Sequence, residues 1–334
     1  MGHRRRSLGG WWEIVGALVA MVSALLAGCV PTPGARSTTR LPNIPRYQHI
    51  FLMVMENHEY DDIISSSQAP HLNALAQKYG LATNYWAVTH PSEPNYIAML
   101  GGSFFGVIDD NSYTQNAIKS AYLGSQLEAA RLTWKSYQQG LPSVGYAGEM
   151  ATTGNMLYAS KHNPFLNFLT YYPASQRAAE MANNVPETQL ATDLASGAVP
   201  NFSLITPNLC ADMHGDPACG DEDKLISAGD TFAYDTVSAI MASSIWSQGN
   251  NAIIITWDES TPGVSFGPGN ITSDGGHVPT IVITSHGPRG LRDNAAYNHY
   301  ALLLSIQDAF GLECLNNSCP TTGGVQPMEP LLAA

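Results

Sequence analysis

The amino-acid sequence predicts an α/β domain with a mostly parallel central sheet flanked by helices on both faces. Three observations carry this expectation. Short, nearly unbroken apolar runs recur at 49–55, 202–206, 252–257 and 280–284, the pattern of strands covered on both faces. Stretches with helical apolar spacing separate them, and such alternation favours a sandwiched parallel sheet. The chain beyond residue 44 is also long enough for one large domain with a substantial core.

In order along the chain, 49–55 reads as the first strand. Residues 71–79 carry Leu72, Leu75, Ala76 and Tyr79 at helical spacing, with Gly80 as a stop signal. A strand is expected at 81–88 and a helix just beyond Pro94, at 95–100. Residues 121–131 read as a helix and 132–137 as a strand. The region 140–186 is irregular, rich in Gly, Asn, Pro and Tyr, and is expected to form a cap or substrate loops over the sheet edge. Strands at 202–206, 252–257 and 280–284 then alternate with helices at 230–246 and 300–310.

The first residues lie apart from this fold. Arg4, Arg5 and Arg6 precede an uncharged apolar run at 14–27, shorter than the ~20 residues of a transmembrane helix and flanked as a secretory signal is. The run ends in Leu26-Ala27-Gly28-Cys29, which resembles the lipobox of bacterial lipoproteins and implies a lipid on Cys29. Residues 30–39 form a Pro/Ser/Thr-rich tether, expected to be extended. The expected division is a signal peptide at 1–28, lipid attachment and tether at 29–44, and one domain at 45–334. The protein is thus expected to be exported and anchored at a bacterial membrane, facing away from the cytoplasm.

Five cysteines are an odd number. Setting Cys29 aside leaves Cys210 near Cys219 and Cys314 near Cys319, read as short-loop disulfides of an extracytoplasmic protein. Neither pair has the C-x-x-C spacing of a zinc ribbon. The net charge of -12 is spread over a chain with only 13% charged residues, and no basic stripe is present to grip nucleic acid.

Ligands of open α/β sheets bind beyond the carboxyl ends of the strands, and polar clusters fall at those ends here. The first strand runs into Glu56-Asn57-His58. The 252–257 strand runs into Asp258-Glu259. The 202–206 strand leads to Asn208 and then Asp212-Met213-His214. Asp274-Gly275-Gly276-His277 precedes the 280–284 strand. One acid at a strand end is usually a helix cap, but acids and imidazoles recurring at four such ends are not. Buried acids need cations, so the expectation is a divalent metal held by Glu56, Asp258 and their neighbours. Ser92, in His90-Pro91-Ser92-Glu93-Pro94-Asn95-Tyr96, falls between a strand and a helix N-terminus, where an anion is favoured. It is the candidate nucleophile. No G-x-S-x-G elbow surrounds it, which argues against a carboxyl esterase.

The segments 53–58, 91–96 and 256–259 together resemble the bacterial phosphoesterase family, which contains acid phosphatases and phospholipases C within the alkaline phosphatase superfamily. The resemblance runs from about Tyr47 to Leu312. It implies an alkaline-phosphatase-like fold and metal-dependent hydrolysis of phosphate esters through a phosphoserine on Ser92. It further implies a metal site of Glu56, Asn57, Ser92, Asp258 and Glu259, with Asp212 as a further ligand. Asn57, His90 and Asn95 are expected on the substrate phosphate, and His214 or His277 on the leaving alcohol. Asp212 and His214 match the D-x-x-x-H segment of the related pyrophosphatases except in spacing. The late acidic pair is Asp-Glu where two-zinc relatives have Asp-His, which favours one metal ion per site. No arginine follows the serine as in sulfatases. The expected substrate is a small phosphomonoester; the alternatives are a phospholipid headgroup cleaved as a diester, and a non-catalytic lipoprotein that binds a metal or phosphoryl group.

Overall fold

The computed structural model describes residues 44–151, 157–261 and 275–333. Cys29, the apolar run before it, the tether and Asp274 lie outside these residues. Among the described residues, no helix is long and apolar enough to cross a membrane.

One eight-stranded sheet organises the domain. Its strands, in chain order, are β1 (His49–Met55), β2 (Gly80–Ala82), β3 (Trp134–Gln138), β4 (Asn184–Pro186), β5 (Phe202–Thr206), β6 (Asn251–Trp257), β7 (Thr280–Thr284) and β8 (Arg292–Asp293). Across the sheet the order is β8-β2-β7-β6-β1-β5-β3-β4. β1 lies between β5 and β6 and is parallel to both. β7 runs antiparallel to β6 and β2, so the sheet is mixed but mostly parallel, as expected. The centre is apolar on both faces: Ile50 to Met55 and Ile253 to Ile255 are fully buried. Each such side chain contributes roughly 1.5–3 kcal/mol relative to exposure.

The helices include α1 (Pro70–Lys78), α2 (Ser92–Gly101), α3 (Leu123–Ala129), α4 (Glu222–Ala242) and α5 (His299–Phe310). Strands β1, β5 and β7 begin and end where the sequence predicts, because each is an apolar run bounded by polar or turn residues. The 81–88 strand is shorter than expected. It stops at Ala82, and Tyr85–Trp86 pairs separately with Tyr297–Asn298. Helix α4 begins eight residues before the predicted 230, where Asp221 accepts a hydrogen bond from the Lys224 N–H and caps a polar first turn. Helix α2 starts at Ser92 itself, ahead of Pro94, since proline is tolerated in a first turn.

The irregular 140–186 region holds more order than expected. Met150–Ala151 pairs with Tyr158–Ala159, Ser160–His162 forms a 3₁₀ turn, and β4 extends the main sheet beyond β3.

Candidate active site

The strand exits on one edge of the sheet are bonded to each other. The Glu56 N–H donates to the Asp212 carbonyl at 2.7 Å, and the Asp258 N–H to the Met55 carbonyl at 2.9 Å. Asn57 follows in the left-handed region (φ 56°), which asparagine tolerates, and its N–H donates to Asp258 Oδ1 at 3.2 Å. Met213, between Asp212 and His214, is also left-handed (φ 80°). For a bulky non-glycine side chain that conformation is uncommon and costs on the order of 1–3 kcal/mol.

Four carboxylates converge as a result. Glu56, Asp212 and Asp258 are fully buried and Glu259 is 2% exposed. Ser92, at the first position of α2, donates to Glu56 Oε2 at 3.0 Å and reaches Glu259 Oε1 at 3.2 Å. The other oxygen of Glu259 is 2.6 Å from His90 Nδ1. The helix N-terminus offers an anion less than the sequence implied. Glu93 donates its N–H to Asp110, and Pro94 has none, so of the first three residues only Ser92 keeps a backbone donor for it.

The residue that sequence reasoning missed is His162. Its ring stacks on Tyr96 and is 2% exposed. Its nitrogens stand 3.0 Å from Glu56 Oε1 and 3.1 Å from Asp212 Oδ2. It comes from the region without periodicity, and no motif surrounds it; the Lys161-His162 dipeptide ahead of an apolar run was the only local hint. His214 joins the same group: its N–H donates to Asp212 Oδ1 at 2.7 Å. Its Nδ1 is 2.9 Å from the Gly215 carbonyl, and its Nε2 is 3.3 Å from Lys161 Nζ.

The electrostatics follow from burial and proximity. Burial pushes the Glu56 carboxyl up, but the charges of His162, Lys161 and His214 prevail and bring it down to about 2. Burial disfavours the His162 cation, yet Glu56 and Asp212 raise it to about 9. Asp258 is driven well above the usual carboxylate range by burial and by Glu56 and Glu259. Asp212 and Glu259 are raised too, burial being the main cause. One buried imidazolium cannot balance four buried acids.

A cation fits this deficit. Glu56 Oε1, Asn57 Oδ1, Asp212 Oδ2 and Asp258 Oδ2 are buried acceptors without a well-formed hydrogen bond. Glu56, His162 and His214 also offer donor atoms within 4.8 Å of one another. The donor set of carboxylates, amide oxygen and imidazole suits a divalent ion. Glu56 faces both groups, one oxygen toward Ser92 and the other toward His162.

The structure therefore brings together Glu56, Asn57, His90, Ser92, Asp212, His214, Asp258 and Glu259. Two expected residues have further partners. Asn95 accepts from the Val88 and Thr89 N–H groups and donates to the Thr89 and Pro91 carbonyls. Its amide thus folds the loop before Ser92, and the same Nδ2 also reaches Glu259 Oε2 at 3.5 Å, at the border of the acid cluster. His277 stacks between Tyr60 and Trp86, with Nε2 3.2 Å from the Thr83 carbonyl, and none of these contacts is with the acids. Both cysteine pairs are disulfides, Cys210–Cys219 and Cys314–Cys319, and the first closes the loop that carries Asp212 and His214.

Comparison with known proteins gives this arrangement a family. The profile of the phosphoesterase family matches residues 64–313, three-quarters of the chain. The chain belongs to the phosphoesterase family. The matched stretch begins after Glu56 and Asn57 and includes the rest of the site. This phosphoesterase is 29% identical over 319 residues to a protein of Mycobacterium tuberculosis named phosphatidylinositol-3-phosphatase, covering 95% of this chain and 91% of that one. It is 28% identical over 274 residues to an acid phosphatase of Aspergillus fumigatus, covering 80% of this chain and 56% of the fungal one. Among solved structures, a protein of the alkaline phosphatase superfamily from Vibrio parahaemolyticus superposes with a TM-score of 0.53 at 13% identity, covering 82% of this chain and 69% of that one. That likeness shows a shared fold. The phosphoesterase is a phosphoric ester hydrolase.

Proposed function

We propose that this phosphoesterase hydrolyses phosphomonoesters, small or carried on a lipid headgroup, with Ser92 as nucleophile and a divalent metal held at the acid cluster. The observation that carries the reading is Ser92 Oγ, placed within 3.0 and 3.2 Å of Glu56 and Glu259 at a helix start. The metal ligands would be Glu56, Asn57, Asp212 and Asp258 with Ser92; Glu259, whose two oxygens face Ser92 and His90, adjoins them with His162 and His214. When bound, a divalent ion lowers the pKa of the hydroxyl beside it and offsets charge on the phosphoryl oxygens.

The side chains supply the remainder. Glu259 bridges Ser92 and His90, so it can take the Oγ proton at Oε1 while His90 steadies it through Oε2. Oγ then attacks phosphorus and the alcohol departs. Of the two histidines expected to serve the leaving group, His214 stands with the acids, but its Nε2 faces the Lys161 ammonium and its Nδ1 the Gly215 carbonyl, so the departing oxygen takes its proton from water. Water attacks the phosphoserine in the reverse arrangement, and Ser92 recovers its proton. His162, sealed from solvent, holds Glu56 and Asp212 in place. Phosphate monoesters need rate enhancements of up to ~10²¹-fold, and preorganised charge is the kind of device that supplies them.

The mycobacterial relative's name supports a phosphomonoester on an inositol lipid as one substrate. The two disulfides support a location outside the reducing cytoplasm, in line with the exported, lipid-anchored reading of Cys29. The test is turnover of para-nitrophenyl phosphate by wild type, by chelator-stripped protein with metals returned, and by Ser92→Ala. Turnover that needs the metal and disappears in Ser92→Ala is expected. Turnover unaffected by stripping, or retained by Ser92→Ala, would sink the reading.

A further inference from the structure

Lys161 is absorbed neither by the metal site nor by the nucleophile. It precedes His162 in the 3₁₀ turn, but while the His162 side chain is 2% exposed, that of Lys161 is 21% exposed. It stands where the sealed acid cluster meets solvent. Its Nζ is 2.7 Å from Asp110 Oδ2 and 3.3 Å from His214 Nε2, and a ring nitrogen of His214 lies within 4.8 Å of a Glu56 oxygen. Among the described lysines and arginines, only Lys161 is bonded to a residue of this group.

The position is fixed relative to Ser92. The other oxygen of Asp110 accepts the Glu93 N–H at 3.0 Å, and Glu93 is the next residue to Ser92 on α2. Glu93, Asp110, Lys161 and His214 thus form one chain of contacts from the nucleophile's helix to the far side of the cluster. An ammonium has three donors. Asp110 takes one and His214 Nε2 accepts another, leaving the third for a ligand. His214 Nδ1 faces the Gly215 carbonyl, which assigns its proton there and leaves Nε2 as the acceptor.

We propose that Lys161 binds the third non-bridging oxygen of a phosphomonoester and thereby sets the preference for mono-esters over diesters. This rests on the reading that phosphate esters react at Ser92. A monoester presents three non-bridging oxygens and, above its second pKa near ~6, close to two negative charges. A diester presents two such oxygens and one charge, with an organic substituent in place of the third. A fixed ammonium rewards the extra oxygen and charge with a charge-assisted hydrogen bond and gives the diester nothing in return. Asp110 keeps the ammonium from collapsing onto the carboxylates.

The experiment compares the metal-loaded full chain with Lys161→Met, Lys161→Arg and Asp110→Asn. Turnover of para-nitrophenyl phosphate and its bis-ester is measured, with calorimetric binding of inorganic phosphate and dimethyl phosphate. Lys161→Met should lower kcat/KM for the mono-ester by about 100-fold, the effect of removing one preorganised donor, and for the bis-ester by about threefold or less. Inorganic phosphate should bind at least about tenfold more weakly, with dimethyl phosphate unchanged, and Lys161→Arg should recover most of the loss. Asp110→Asn, which keeps the lysine, should show a smaller loss on the mono-ester alone and decides the matter if Lys161→Met does not fold. Equal losses on both esters would overturn the proposal, assigning Lys161 to His214 or to the fold; so would no loss on either. If wild type turns over neither ester, the reading of the site fails instead, and phosphate binding still decides Lys161.

Discussion

Replacing each disulfide in turn, as Cys210→Ser with Cys219→Ser or Cys314→Ser with Cys319→Ser, separates stability from activity at this site. The bridges close loops of similar size, with sequence separations of 9 and 5. Chain-entropy cost grows with the logarithm of loop length, which gives about 2.6 kcal/mol for the first and about 2 for the second. Loss of either should therefore shift a urea midpoint by nearly the same amount. Activity should not follow. The longer loop contains Asp212 and His214, and holds Met213 in a backbone region that costs on the order of 1–3 kcal/mol. Released, Met213 can relax, and the Asp212 carbonyl then loses the Glu56 N–H. The first double variant should lose at least about tenfold in kcat/KM, some 1.4 kcal/mol in the transition state, while the second stays within about twofold. Assays would be run well below the unfolding midpoint, with circular dichroism confirming a folded chain. Equal activity losses, or none from the first variant, would refute the claim that this loop positions the site.

Three other perturbations probe different parts of the molecule. Burial, with Glu128 beside it, raises the Glu180 carboxyl to about 7. The folded state then binds more protons than the unfolded between about pH 4.5 and 7, so this contribution is complete below 4.5 and is lost as pH rises through 7. After discounting for solvent access it is about 1 kcal/mol, and Glu180→Gln should flatten the stability–pH curve by that amount. Asp230 accepts the His71 and Leu72 N–H groups at the start of α1, so Asp230→Ala should cost about 1–2 kcal/mol by thermal melt with kcat unchanged. A divalent ion at a thousand times its Kd should raise stability by about 4 kcal/mol, and Glu56→Gln, which removes the carboxylate common to both donor groups, should abolish that increment.

Much of this site was legible because its residues sit at strand ends. β1 and β6 are unbroken apolar runs, so the polar residues after them, Glu56-Asn57 and Asp258-Glu259, stand out, and a parallel sheet brings such ends to one edge. His162 had no such frame. It reaches Glu56 by tertiary packing from a stretch whose 3₁₀ turns leave no periodic trace. Asn95 shows a different ambiguity: an asparagine near a candidate nucleophile suggests a ligand contact, and here its amide both folds the loop backbone and reaches Glu259. The start of α4 was hidden for a similar reason. A first turn of Glu222, Asp223 and Lys224 carries no apolar stripe, and only the Asp221 cap marks it.

In the proposed reaction the phosphoryl group rests on Ser92 between its two transfers. Reacting the metal-loaded chain with excess para-nitrophenyl phosphate, quenching in acid and locating the phosphoryl group by peptide mass spectrometry tests it most directly. Phosphate is expected on Ser92, and none in Ser92→Ala or in chelator-stripped protein. Phosphate on another residue, or steady turnover by Ser92→Ala, would contradict it.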